Sequence, residues 1–133
     1  MNNKKSGNQF EAELCEILSE HGFWTHNFAQ NSAGQPADVI AVKNGNAYLI
    51  DCKVCSNDKF ALSRIEENQE LAMKLWHDCD NGTGWFALKF GDNIYMVPYV
   101  ALLVYRKLHS TITEKFVAEH YDNLGEWWRK RRW

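Results

Sequence analysis

No stretch of this 133-residue chain approaches the roughly 18 consecutive apolar residues that a membrane-spanning helix needs. A secretory leader core is missing too, because Met1-Asn2-Asn3-Lys4-Lys5 runs into a polar amphipathic segment. A membrane or exported protein is therefore not expected. A cytoplasmic one is, with its four cysteines as reduced thiols. Internal repeats, low-complexity tracts and linkers are absent, so the expectation is one domain over residues 1–133. Its core covers about 6–109, followed by a C-terminal segment, 113–133, ending in a basic tail. Excess positive charge is also lacking: the formal net charge of −2 argues mildly against a polyanionic partner. The distribution softens that, since Arg129, Lys130, Arg131 and Arg132 hold four of the fifteen basic side chains, and Lys4 and Lys5 form a second cluster. What is present is the composition of an ordered globule, 45% hydrophobic and 24% charged.

Periodicity predicts a helix over Ser6 to His21, with Phe10, Leu14, Ile17 and Leu18 in one stripe and Gly22 as its stop. A strand over Phe23 to Ala29 follows, then a polar loop, Gln30 to Pro36. Ala37 to Val42 and Ala47 to Val54 read as the arms of a hairpin about Asn44-Gly45, a pair that tolerates the positive φ of tight turns. A second helix is expected from Leu62 to His77, its apolar side marked by Leu62, Ile65, Leu71, Ala72, Leu75 and Trp76. Trp85 to Phe90 and Ile94 to Val97 form a second hairpin, Pro98 opens a helix to Lys107, and Thr113 to Trp133 is expected to be helical. The order is α-β-β-β-α-β-β-α, an α/β (mixed α+β) fold with a hairpin in a central mixed sheet.

That hairpin carries the chemistry. Asp38 begins its first arm, and Asp51 and Lys53 lie near the end of the second, two apart and so on one face. Counting from the turn, Asp38 is about seven residues back and Asp51 about six forward, which makes the carboxylates neighbours. Paired carboxylates repel unless a cation lies between them, and a hard divalent ion with oxygen ligands, Mg²⁺ with Mn²⁺ as substitute, suits the pair. The Lys53 ammonium on the same face could orient a water or stabilise charge on a pentavalent phosphate. The same tripeptide also fits a strand ion pair. Glu11, among Phe10, Ala12 and Leu14, can turn to the sheet as a third acid or stay a solvated helix carboxylate. Gln69 edges the second helix's apolar stripe, from which it can reach a phosphate or a metal-bound water, or simply face solvent as most such glutamines do.

Gly7-x-x-Phe10-Glu11, then Gly34-x-Pro36-Ala37-Asp38 before a strand, a hairpin, and Asp51-x-Lys53 together resemble the PD-(D/E)xK nuclease superfamily, with its restriction-endonuclease-like core. Within it, Asn31 to Val54 is similar to archaeal Holliday junction resolvases. Leu62-x-x-Ile65-x-x-x-Gln69, Gly84-Trp85-Phe86-Ala87-Leu88 and Tyr95-Met96-Val97-Pro98 look more like bacterial RecU-type resolvases. The resemblance covers about residues 4–100. It implies a metal-dependent endonuclease acting on four-way DNA junctions in recombination and repair, working as a homodimer. Asp38, Asp51 and Lys53 would be its catalytic core, Glu11 a further metal-site acid and Gln69 a supporting residue. Asp51 stands where resolvases usually have Glu, and the stalk insertion of RecU proteins is missing, which puts junction specificity in question.

Other signals compete. Cys52-x-x-Cys55 with His77 and Cys79 has zinc-ligand residue types, although an unbroken strand would turn the first two to opposite faces. Ser32 and His26 lie close to the loop before Asp38, and Lys4, Lys5, Ser32 and the tail, Arg129 to Arg132, are candidate phosphate contacts. Trp127 and Trp128 could stack on nucleic acid or anchor a helix. For dimerisation, the helix bearing Val100, Leu103 and Val104 and the first hairpin's outer face are the apolar surfaces. Three functions stand: a junction resolvase, another nuclease on the same core of restriction, repair or mobile-element type, and a non-catalytic DNA-binding module.

Overall fold

The structure, a computed structural model, describes residues 3–28 and 37–131, with side chains from Gln9 onward. Eight strands and five helices are described: α1 (Asn3–Glu20), β1 (Trp24–Asn27), β2 (Val39–Lys43), β3 (Asn46–Cys55), β4 (Lys59–Ala61), α2 (Glu67–Asp78), β5 (Trp85–Phe90), β6 (Asn93–Pro98), α3 (Tyr99–Arg106), β7 (Thr111–Thr113), α4 (Glu114–His120), β8 (Asp122–Asn123) and α5 (Leu124–Arg129). Six strands form one mixed sheet in the order β1-β2-β3-β5-β6-β8, in which only β3 and β5 run parallel. β4 and β7 pair separately.

The first hairpin forms as its turn chemistry predicts. Asn44 and Gly45 both take positive φ, 53° and 80°, and the register runs from Lys43 opposite Asn46 to Val39 opposite Ile50. α1 ends as its Gly22 requires. The Phe23 and Gly22 amides donate to the Leu18 and Ser19 carbonyls, a closing motif that needs the left-handed φ of 89° at Gly22.

The sheet buries both faces. On one, α1 and α5 lay Phe10, Leu14, Leu18, Leu124 and Trp127 over Val39, Ala41, Ile50, Cys52 and Ala87. On the other, α2, α3 and α4 cover Leu49, Phe86, Leu88 and Phe90 with Met73, Leu102 and Val117. Strand alternation therefore assigns Asp51 and Lys53, in step with Leu49, to the α2 face.

Three expectations need correction. α2 starts at Glu67, not Leu62, because Leu62–Arg64 form a 3₁₀ turn after β4, an element the sequence reading did not anticipate. The inward side of α2 carries Gln69 and Met73, while Leu71 and Leu75 are exposed, so the apolar stripe assigned to this helix faces out in part. The region 113–133 is not one helix. α4 and α5 are separate, capped by Thr113 and by a reciprocal Asn123–Glu126 box, with β8 between them adding an edge strand.

Candidate active site

Asp38 lies just before β2, held by hydrogen bonds from its backbone and its side chain. Its amide donates to the Ile50 carbonyl at 3.1 Å, its carbonyl accepts from the Phe28 amide at 2.9 Å, and its Oδ2 accepts from the Cys52 amide at 2.7 Å. The Cys52 amide is a part of the site that residue types could not reveal, since backbone donors follow only from register. Asp51 is fully buried in β3. Its Oδ1 accepts from Gln69 Nε2 at 3.0 Å, and its Oδ2 has no hydrogen bond and faces the Lys53 ammonium at 3.3 Å. Gln69 is held in turn by the start of α2, its Oε1 accepting from the Glu66 amide at 3.2 Å within a capping box. The second helix thus spends an inward position on a polar side chain that orients Asp51.

Glu11 is buried on α1, whereas its neighbour Glu13 is part-exposed and paired with Lys89 at 3.2 Å. Burial first, and then the Asp38 carboxylate, push Glu11 up to about 8. Asp51 is driven well above the ordinary carboxylate range by the same two causes in the same order, partly opposed by Lys53. Crowded, desolvated carboxylates of this kind favour either protons or a cation. Asp51, whose Oδ2 has no hydrogen bond, together with Asp38 suits an oxygen-seeking divalent ion, for which one or two carboxylates and waters suffice. Among the described residues no three His, Cys, Asp or Glu side chains already converge as a ligand cage, so Glu11 stands near the pair without closing one.

The remaining candidates divide. Cys52 belongs to the α1-side core and Cys55 to the α2-side core, because β3 continues unbroken through both, and Cys79 is exposed. That separation removes the geometric basis of the proposed zinc set. The described part of the tail sits on the α1 face, across the sheet from Asp51. The Arg131 guanidinium lies over Trp127, Trp85 and Tyr48 at 4.3, 4.8 and 5.5 Å and donates to the Trp127 carbonyl. Lys130 pairs with Asp122 at 2.8 Å, Arg129 stacks over Trp128, and Trp128 stacks on His21. Arg131 and Lys130 are thus engaged in holding the C-terminus, not presented beside the carboxylates. Ser32 and Arg132 lie outside the described residues, as do the side chains of Lys4 and Lys5.

The family model of archaeal Holliday junction resolvases (Hjc) matches residues 2–124. The crossover junction endodeoxyribonuclease Hjc of Methanocaldococcus jannaschii is 26% identical over 125 residues, which span 91% of this chain and 88% of that protein. The structure of Archaeoglobus fulgidus Hjc, a Holliday junction resolvase from an archaeal hyperthermophile, matches with a TM-score of 0.70 over 93% of this chain and 96% of that one. At 17% identity that likeness speaks to the fold.

Proposed function

The chain belongs to the archaeal Holliday junction resolvase family, a DNA endonuclease family, and from that premise we propose that Asp38, Asp51 and Lys53 form its phosphodiester-cleaving centre on four-way junctions. The observation that carries this is the Asp38–Asp51–Lys53 group itself, with one buried carboxylate oxygen left without a hydrogen bond 3.3 Å from an ammonium. Asp38 and Asp51 would hold Mg²⁺, or Mn²⁺ in its place, with Glu11 as an outer acid. When bound, such an ion supplies charge neutralisation at the scissile phosphate and lowers the pKa of water. Lys53 places a fixed positive charge where negative charge grows on the phosphate in the transition state. Gln69 would fix the Asp51 rotamer with Oδ2 toward the metal, and the Cys52 amide would orient the Asp38 carboxylate.

Two related nicks across a junction call for two centres, and one chain carries one, so the active form is proposed to be a homodimer. Leu71 and Leu75 on α2 and Val100 and Val104 on α3 are exposed, and the Glu70–Arg106 pair at 3.2 Å ties the two helices together. This patch supports a subunit interface, more extensively than the α3 residues would alone. No described helix is long and apolar enough to cross a membrane, and we place the protein in the cytoplasm with its DNA.

Cleavage of four-way, flap, linear and plasmid DNA in Mg²⁺, Mn²⁺, Ca²⁺ and chelator tests the reading. The junction should be cut in preference to the others, with Mg²⁺ or Mn²⁺ only. Equal cutting of linear duplex would support the second reading, a nuclease of other specificity, and robust cutting in chelator would remove the two-carboxylate mechanism.

A further inference from the structure

β1 is an edge strand, and its side chains on the α2 face are aromatic. Trp24 pairs across to Val42 and His26 to Ile40, and those residues pair on to Ala47 and Leu49 of β3. Trp24 and His26 therefore share the face of Asp51 and Lys53. Here the helical layer stops short: Ile40 and Val42 are only partly buried, His26 is exposed, and Trp24 is 64% exposed. The Trp24 and His26 rings lie nearly parallel, 12° apart with centroids at 6.3 Å, and His26 meets Phe28 edge-on at 5.4 Å. This row leads to the site, since the Phe28 amide donates to the Asp38 carbonyl.

We propose that Trp24, supported by His26, is a stacking platform for a base at the branch of the DNA junction and so a specificity-determining residue of this enzyme. The inference rests on the nuclease reading above. Proteins usually blunt an edge strand with charge or proline, and an uncovered tryptophan there is a liability unless something uses it. Position favours DNA as that user. Trp24 is two strands across and four residues along from Asp51, about 16 Å at ordinary strand spacings, or roughly four to five base steps of about 3.4 Å. A substrate seated at the site and extended along this edge of the sheet would reach the shelf. The surface suited to a second copy is a different one, the exposed leucines and valines of α2 and α3. Stacking also discriminates in the right direction. Bases at a branch lose part of their stacking, and a tryptophan ring can replace it, whereas a continuous duplex offers no such base without first paying for unstacking.

The test compares binding of a four-arm junction and of a linear duplex of equal length, in Ca²⁺ to prevent cutting, alongside sedimentation of each variant. Trp24→Ala should weaken junction binding about tenfold and duplex binding less than twofold, with sedimentation unchanged. Trp24→Phe should restore most of the loss, and Trp24→Leu, apolar but without a π face, should not. Equal affinities for wild type and Trp24→Ala overturn the platform while leaving the nuclease reading intact. Rescue by leucine, or a shift from dimer to monomer, assigns the ring to protein contact and also overturns it. Failure of the wild type to prefer junctions removes both proposals.

Discussion

Burial of Asp51 and Glu11 beside Asp38 sets the protein's response to pH. Both groups titrate above their ordinary values in the folded state, so the folded chain keeps protons that the unfolded chain has released. For Glu11 the window runs from the ordinary 4.5 to about 8. Without divalent metal, stability should fall as pH rises through that window, because the unfolded state binds fewer protons. Mg²⁺ or Mn²⁺ should reverse the trend, raising the melting temperature clearly at pH 8 and little at pH 5, with protons released on binding. Thermal scans at both pH values, in chelator and in metal, check this. A chelated protein that grows more stable between pH 5 and 8 would contradict the assignment of these groups as a crowded acidic site.

At the level of elements, the sequence was most informative where local chemistry and pattern agree. Asn44-Gly45 defined the hairpin register, which makes Asp38 and Asp51 neighbours, and strand alternation puts Lys53 on the face of Asp51. The pattern misled in part at α2, where the polar Gln69 shares the inward side with Met73 while Leu71 and Leu75 face out. β4, the 3₁₀ turn and β8 are short segments whose existence depends on distant partners, such as β7 for β4 and β6 for β8. Asn123-x-x-Glu126 was a readable start signal for α5. Lys43 shows how a half-buried residue at the end of a strand acquires a role through tertiary structure. It counts from sequence as a turn lysine remote from the carboxylates, yet its Nζ donates to the His21 carbonyl at 2.9 Å and lies 5.0 Å from the Phe23 ring centre, closing α1. Lys43→Ala should cost about 1 kcal/mol through the lost cap and cation–π contact. That is a melting drop of a few degrees with the cleavage rate retained, and calorimetry with a cleavage assay at a temperature well below melting checks both parts.

The whole molecule is a sheet with a division of labour between its faces. The α1 face is closed by aromatic rings and by Arg131, and the carboxylate pair lies at the end of the hairpin where α1 brings Glu11 toward Asp38. The α2 face carries Lys53, the Gln69 anchor and an outer apolar patch. If that patch joins two copies, substitution of Leu75 and Val104 by Glu together should convert the dimer to a 15.5 kDa monomer. The monomer should retain its fold and lose paired nicking of junctions. Sedimentation at micromolar concentration reads the first effect and a junction-cleavage gel the second, and a double variant that still sediments as a dimer would put the interface elsewhere.

The most direct measurement is the single-turnover cleavage rate of Lys53→Ala at saturating junction DNA, with affinity measured separately in Ca²⁺. On the proposed mechanism Lys53 acts on charge that develops in the transition state, so its removal should lower the rate about 100-fold or more. Affinity should stay within about threefold, one phosphate contact among several being a minor contribution. Lys53→Arg should fail to restore the rate, because the larger guanidinium replaces a compact ammonium in a buried position. A Lys53→Ala enzyme that cuts at the parental rate would make Asp51 and Lys53 a structural ion pair and would contradict the assignment of the catalytic centre.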